Sequence, residues 1–227
     1  MLISIAIPCY KSEKTIGKVV DEIREVFVRN PEHDYQIILV NDYPFDNTFN
    51  LITSLCQEDN KITGINLSKN YGQTCAKLAA ISYVKGDVLV YMDDDGQHPA
   101  EGIIPLAEKV AEGYDVVYAH FKSKKHSFFK RFTSSINAKI SEFNGTRRKG
   151  VHISSFYAIS RFAVEAYADY TSPFPSMMGY LNTVAGKVTA GIYMGKENII
   201  NCSIGNRNSN HSNYTVLSKG FHNRHKL

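Results

Sequence analysis

Short apolar runs alternate with segments of helical periodicity through the first 120 residues, and few folds accommodate that alternation. Ile3 to Ile7 reads as a strand. Ser12 can cap a following helix whose apolar positions Ile16, Val19, Val20, Ile23, Val26 and Phe27 recur at intervals of three and four. Tyr35 to Val40, Lys61 to Asn66, Asp87 to Met92 and Asp115 to Ala119 read as further strands, with helices over Asp46 to Gln57, Gln73 to Tyr83 and Glu101 to Ala111 between them. Asp46-Asn47-Thr48 can cap the second helix, Ala76, Ala79, Ala80 and Tyr83 share one side of the third, and Pro105 is tolerated in the first turn of the last. Apolar strands flanked by amphipathic helices predict an α/β fold with a mainly parallel central sheet covered on both faces. Ligands of such sheets sit beyond the carboxyl ends of the strands, near a switch in strand order.

Three strands deliver polar groups to that edge: Pro8-Cys9-Tyr10 after the first, Asn41-Asp42 after the second, and Asp93-Asp94-Asp95 after the fourth. Three adjacent carboxylates repel one another and raise one another's pKa unless a cation or ligand offsets part of the charge. If the chain turns directly after Met92, at least two of them face one cavity. Hard divalent ions, Mg²⁺ or Mn²⁺, favour such oxygen ligands while also holding substrate phosphates. An isolated aspartate triplet also makes a polar turn; the strand before it and Gln97-His98-Pro99 after it favour a site. Asp42, after an apolar strand with no base nearby, can accept an N–H from a nucleobase, or, as an isolated carboxylate, serve a turn or helix cap. His98 can either ligate metal or turn the chain into the next helix, and Cys9 reads as a small buried thiol.

Composition bounds the rest. At 227 residues the chain is long enough for one large domain. Its formal charge of +4 is concentrated between Phe121 and Gly150, where nine basic residues face one acid, leaving 17 basic and 21 acidic residues elsewhere. That segment suits phosphate or an anionic membrane surface. Nucleic acid is disfavoured, because the acidic strand-edge mouth would repel a passing backbone. Within the segment, Phe128, Phe129, Phe132, Ile136, Ile140 and Phe143 recur at helical spacing with Lys130, Arg131 and Lys139 between them, predicting a basic amphipathic helix over Ser127 to Phe143 that suits a membrane surface or, with its lysines as a solvated face, the protein core. Val151 to Ile159 and Val188 to Met194 read as strands, Ser176 to Ala185 as helical, and the Asn-, Ser- and His-rich tail from Asn198 as flexible towards its end. No run reaches the roughly 18 to 20 apolar residues that span a bilayer. The start reads as a strand without a basic leader, and Cys9, Cys56, Cys75 and Cys202 lack metal or redox spacing; both point to a reducing cytosol.

Four blocks carry a family resemblance: Ile5-Ala6-Ile7-Pro8-Cys9-Tyr10 with Glu13, Val40-Asn41-Asp42 with Asp46 and Thr48, Leu67-Ser68-Lys69-Asn70-Tyr71-Gly72, and Met92-Asp93-Asp94-Asp95-Gly96-Gln97-His98-Pro99. In this order the chain resembles the family 2 glycosyltransferases, with a Rossmann-like nucleotide-diphospho-sugar transferase fold of the A type (GT-A). Among them it is similar to the polyprenyl-phosphate members such as dolichol-phosphate mannose synthase. The likeness continues more thinly through Phe128-Phe129-Lys130-Arg131 and Arg207 to Thr215. It implies one glycosyltransferase domain over 1–227, with a donor-binding portion over 1–120 and an acceptor-side portion over 121–227.

Position by position, the resemblance implies that Pro8, Tyr10 and Asp42 border the nucleobase, and that Lys69, Asn70 and Gly72 lie on the nucleotide side of the cleft. Asp93 and Asp95 would hold Mg²⁺ or Mn²⁺ and the diphosphate, with Asp94 and Gln97 beside them. Arg131 and Arg207 would grip the acceptor phosphate and the donor diphosphate. The chain departs from the pattern at several points. Asn41-Asp42 stands for an acidic pair, Tyr43-Pro44 for Gly-Ser, Lys11 for an asparagine and His211 for a glycine. Ile153 to Tyr157 lacks the aspartate and arginine of a Gly-Asp-Phe-Arg segment. The hydrophobic carboxyl-terminal spans of many relatives are absent, which fits a compact member or a shortened chain.

The implied reaction is a metal-dependent, inverting transfer of sugar from a nucleotide-sugar donor to a polyprenyl phosphate at the cytoplasmic face of a membrane, to which the protein binds peripherally. A phosphate acceptor is already anionic and needs little base catalysis, whereas a saccharide hydroxyl, the alternative acceptor in cell-surface polysaccharide synthesis, needs a base, with Asp94 the fallback. A non-catalytic nucleotide-binding module is the remaining reading, and a homo-oligomer stays open.

Overall fold

The computed structural model describes residues 1–121, 153–168, 170, 177–194 and 199–201. Its strands are β1 (Leu2–Cys9), β2 (Asp34–Asn41), β3 (Ile62–Asn66), β4 (Val88–Tyr91), β5 (Val116–Phe121), β6 (Tyr157–Ser160), β7 (Val188–Met194) and β8 (Ile199–Asn201). The helices are α1 (Ile16–Arg29), α2 (Thr48–Glu58), α3 (Gln73–Ile81), α4 (Ile103–Ala111), α5 (Arg161–Ala168) and α6 (Met177–Val184). One sheet holds all eight strands in the order β3-β2-β1-β4-β6-β5-β7-β8. Strands β3, β2, β1 and β4 are parallel, as the alternation predicts. The sheet then becomes mixed: β6 runs antiparallel to both β4 and β5, and β8 antiparallel to β7.

Period-two alternation sorts the strand side chains onto two faces. Ile3, Ile5, Ile7, Ile37, Leu39, Val88 and Val90 pack beneath α1, α2 and α4. Ala6, Ile38, Val40, Leu89, Tyr91, Tyr118, Tyr157 and Ile159 pack with α3, α5 and α6. Both faces of β4 are buried, which explains its unbroken apolar sequence. The six apolar positions read from the spacing of α1 are the six that it buries.

Several elements differ from the sequence reading. The helix expected from Glu101 opens as a 3₁₀ turn over Ala100–Gly102 before α4. The expected strand from Val151 is confined among described residues to β6, where pairing with β4 and β5 sets its limits. Helix α5 was not anticipated, because Arg161, Phe162 and Glu165 lie on an exposed side that blurs its apolar stripe. Helix α3 stops at Ile81, leaving Tyr83 half exposed with its carbonyl accepting from Gln36 Nε2 at 2.9 Å. Helix α1 is capped at Thr15 rather than Ser12, whose carbonyl accepts the Thr15 and Ile16 N–H groups while its hydroxyl turns elsewhere. The basic amphipathic helix expected over Ser127 to Phe143 lies outside the described residues, as do Arg131 and Arg207. No described helix is long and apolar enough to cross a membrane.

Candidate active site

Strand β1 lies between β2 and β4, so the strand order reverses at its carboxyl end. Crossovers leave in opposite directions there and open a crevice. Cys9 is in register with Asn41, and the carbonyl of Cys9 accepts the Asp42 N–H at 2.8 Å. The three polar strand ends therefore meet as the sequence predicts.

A cavity of about 310 Å³ opens at this point, lined by Pro8, Cys9, Tyr10, Asp42, Asn70, Gly72, Gln73 and Asp94. Five of the proposed donor-site residues before β4, namely Pro8, Tyr10, Asp42, Asn70 and Gly72, thus share one wall set. Asp42 is 4% exposed, and its two carboxylate oxygens accept the Tyr71 and Gly72 N–H groups at 2.7 and 2.9 Å. It ties the 67–72 segment across the mouth; each oxygen keeps lone-pair capacity for a further donor. Gly72 has φ +88°, a conformation that other residues adopt only at a cost, and Asn70 Oδ1 accepts from the same Gly72 N–H at 2.9 Å. Lys69 stands further out, with its ammonium 5.1 Å from the Tyr71 ring centroid.

The three aspartates do different things. Asp94 faces the cavity, and its Oδ2 accepts the Tyr10 N–H at 3.0 Å and the Ser12 hydroxyl, binding the β1 loop to the β4 loop. Asp95 is exposed and its Oδ1 accepts the Gln97 N–H at 2.9 Å, a turn bond; the Gln97 side chain is exposed as well. Asp93 points beside the cavity into a network that sequence reasoning did not find. Its Oδ1 accepts from Gln73 Nε2 at 2.8 Å and its Oδ2 from Ser155 Oγ at 2.8 Å. Of the triplet Asp94 alone is among the cavity walls, where at least two were expected, and Asp93 is instead engaged by Gln73 and Ser155.

Buried His98 fixes this arrangement. The Asp93 N–H donates to its Nδ1 at 3.0 Å, so that nitrogen is unprotonated and the proton of the neutral ring sits on Nε2, 3.3 Å from Ser155 Oγ. The ring stacks on Phe156 at 4.9 Å and 12°. Burial pulls the His98 pKa down, against the opposite pull of Asp93 and Asp95. Lys77, one turn after Gln73 on α3, is 7% exposed, with burial lowering its pKa and Asp93 acting against that shift. Its signal was a lysine set between Ala76 and Ala80 in an otherwise apolar stripe. Cys9 is a buried thiol as expected, its pKa pushed well up by burial and then by Asp94. Asp46 is structural, accepting from the Thr48 N–H and hydroxyl at 3.0 and 2.9 Å.

At the rim, Lys11 has φ +57°. Its ammonium lies 4.9 Å from the Tyr43 ring centroid and 5.4 Å from that of Tyr10. A left-handed lysine costs about 1–2 kcal/mol, while an exposed cation–π contact returns only about 0.5–1. Lys11→Asn should therefore stabilise the fold by about 0.5 kcal/mol, read as a rise in the urea midpoint at unchanged slope.

A metal would find hard oxygen donors in Asp93 and Asp95. Among the described residues no three His, Cys, Asp or Glu side chains cluster as a closed metal cage. Two carboxylates are a donor number that an ion such as Mg²⁺ accepts, since it completes its shell with water and substrate phosphates.

The model of the family described as Glycosyl transferase family 2 matches residues 4–167. Over 166 residues the chain is 31% identical to the undecaprenyl-phosphate 4-deoxy-4-formamido-L-arabinose transferase of Proteus mirabilis (strain HI4320), covering 72% of this chain and 50% of that protein. Over 197 residues it is 28% identical to the uncharacterized glycosyltransferase YkcC of Bacillus subtilis (strain 168), covering 86% and 61%. The chain thus spans about half to three fifths of these relatives. The fold matches S. aureus TarS 1-349 in complex with UDP-GlcNAc at TM-score 0.58 and 16% identity, covering 91% of this chain and 60% of that one. It matches glucosyl-3-phosphoglycerate synthase from Mycobacterium tuberculosis, in complex with Mn²⁺, UDP and glucosyl-3-phosphoglycerate, at TM-score 0.59 and 17% identity, covering 90% and 73%. Matched from the first strand through α5, and built around a carboxylate-walled crevice at the switch of strand order, the chain belongs to glycosyl transferase family 2.

Proposed function

We propose that the chain transfers a sugar from a nucleotide-diphosphate sugar to a polyprenyl phosphate, with inversion at the anomeric carbon, at the cytoplasmic face of a membrane. The observation that carries the donor half is the cavity walled by Asp42 and Asp94, with Asp93 and Asp95 on the same loop. Pro8, Tyr10 and Asp42 take the nucleobase end in this reading, and Asn70 and Gly72 the nucleotide side, with Lys69 beyond them. Asp93 and Asp95 would hold Mg²⁺ or Mn²⁺ near Gln97. When bound, that ion offsets negative charge on the departing diphosphate.

Two points favour a phosphate acceptor. The Proteus relative is named for an undecaprenyl-phosphate substrate, and the basic segment, including Arg131, suits a phosphate beside an anionic surface. Arg207 would complete the grip on the donor diphosphate. A saccharide hydroxyl would need a base. Asp94, the fallback, already has Oδ2 engaged by two donors, and Ser155 stands where the resemblance leads one to expect an aspartate.

The test is incubation with UDP- and GDP-sugars, Mg²⁺ or Mn²⁺, and either short polyprenyl phosphates or free saccharides, with products identified by mass. A glycosylated polyprenyl phosphate is expected. Transfer to saccharides alone overturns the acceptor assignment, and neither transfer nor donor hydrolysis with any pair overturns the enzymatic one.

A further inference from the structure

We propose that Lys77 is a positioning residue of the donor site, a built-in cation that shares the charge of Asp93 with the divalent ion and so sets how tightly that ion is held. This rests on the reading of Asp93 and Asp95 as the cation site.

Every other inward residue of α3, namely Ala76, Ala80 and Ile81, is apolar. A buried ammonium in that company is costly unless a nearby charge or ring system compensates it. Both are present. The Lys77 Nζ lies 5.5 Å from the Tyr91 ring centroid and 5.2 Å from that of Tyr157, and the two rings are 5.0 Å apart. Tyr91 closes the cage by donating its hydroxyl to the Lys77 carbonyl at 3.2 Å. This aromatic seat is formed by the last residue of β4, two before Asp93, and by the first residue of β6, two after Ser155. Gln73, one turn before Lys77 on α3, donates to Asp93 Oδ1 at 2.8 Å, which places that carboxylate beside the face that carries the ammonium, and its charge opposes the lowering of the Lys77 pKa by burial.

Gln73 and Lys77, four residues apart, occupy one face of α3. Gln73 and Ser155 give Asp93 two neutral hydrogen bonds that fix its orientation. Neither alters the net charge of the site. Lys77 does, from a buried seat against the face of the sheet. Asp93 is therefore a partly compensated ligand, and a divalent ion binds less tightly alone than it would to a bare carboxylate. The negative charge of a nucleotide diphosphate restores the balance, which couples uptake of the ion to uptake of the donor.

The test compares Mn²⁺ binding to the full chain, by electron paramagnetic resonance of free Mn²⁺, for wild type, Lys77→Met, Lys77→Gln and Lys77→Arg without nucleotide. Removing the charge should tighten Mn²⁺ binding by roughly fivefold in Lys77→Met and Lys77→Gln, and Lys77→Arg should stay near wild type. Damage to the fold would weaken binding, so the sign separates the electrostatic role from a structural one. Unchanged or weaker Mn²⁺ binding in both charge-free variants, with wild type binding normally, overturns the inference alone. A wild type that takes up no Mn²⁺, with or without UDP or GDP, overturns the cation reading and this inference with it.

Discussion

Asp95→Asn is expected to lower sugar transfer by at least about a hundredfold and to abolish its dependence on Mg²⁺ or Mn²⁺, while changing stability by less than about 0.5 kcal/mol. The two halves of that expectation come from different features of one side chain. Asp95 is exposed, and its Oδ1 accepts the Gln97 N–H, a bond that the amide oxygen of asparagine can also accept. The turn therefore survives. What asparagine cannot supply is the formal charge on which the proposed cation beside the diphosphate would depend. Asp93→Asn would be a less clean probe, because an amide nitrogen placed at Oδ1 or Oδ2 would confront Gln73 Nε2 or the Ser155 hydroxyl. Steady-state rates across a metal titration, beside urea unfolding of the same sample, check the prediction. Wild-type rates with an unaltered metal profile would remove Asp95 from the site.

The second large effect concerns the fold. Gly86→Ala should destabilise the protein by about 3 kcal/mol or more. A Cβ at position 86 would lie 2.7 Å from the Ser4 backbone N, 2.8 Å from the Leu2 carbonyl O and 2.8 Å from Ser4 Oγ. Two of those atoms are backbone of β1, the strand held between β2 and β4, so they cannot step aside as a side chain could. The close approach has a purpose. Ser4 Oγ accepts the Gly86 N–H at 2.9 Å and donates to Gln36 Oε1 at 2.7 Å, and that same oxygen accepts the Lys85 N–H at 3.0 Å. A methyl group would break a buried chain of bonds that satisfies the turn before β4. Gly17→Ala is the internal control. Its Cβ meets nothing within 4 Å in α1, so the same substitution should stabilise by about 0.5 kcal/mol. Urea midpoints that moved together in both variants would refute the steric argument.

The parallel half of the sheet was legible because each of its elements carries a local signature. Strands such as Ile37 to Val40 are continuous apolar runs, and α1 shows its buried stripe without interruption. The meeting of Pro8, Asp42 and Asp94 was legible too, since three polar strand ends on a parallel sheet have only one edge to share. The Asp93 network was not. Gln73 and Lys77 come from α3, His98 from the turn after β4 and Ser155 from the residues before β6, and no periodicity links these three segments. Their meeting depends on β6 entering between β4 and β5 in the antiparallel sense, a long-range pairing that four residues of Tyr-Ala-Ile-Ser do not announce. Ser12 misled for a related reason. It is a sound cap by local rules, but Asp94, 82 residues away, claims its hydroxyl.

The placement of β6 also fixes when the site can come into being. Residues 157–160 lie beside Val88–Tyr91 and Val116–Tyr118, so Ser155 cannot reach Asp93 until that late segment has left the ribosome and joined earlier strands. From the completion of β4 at Tyr91 until Tyr157–Ser160 emerge, the nascent chain holds its first four strands with one side of β4 unsatisfied, a surface open to mispairing until β6 arrives.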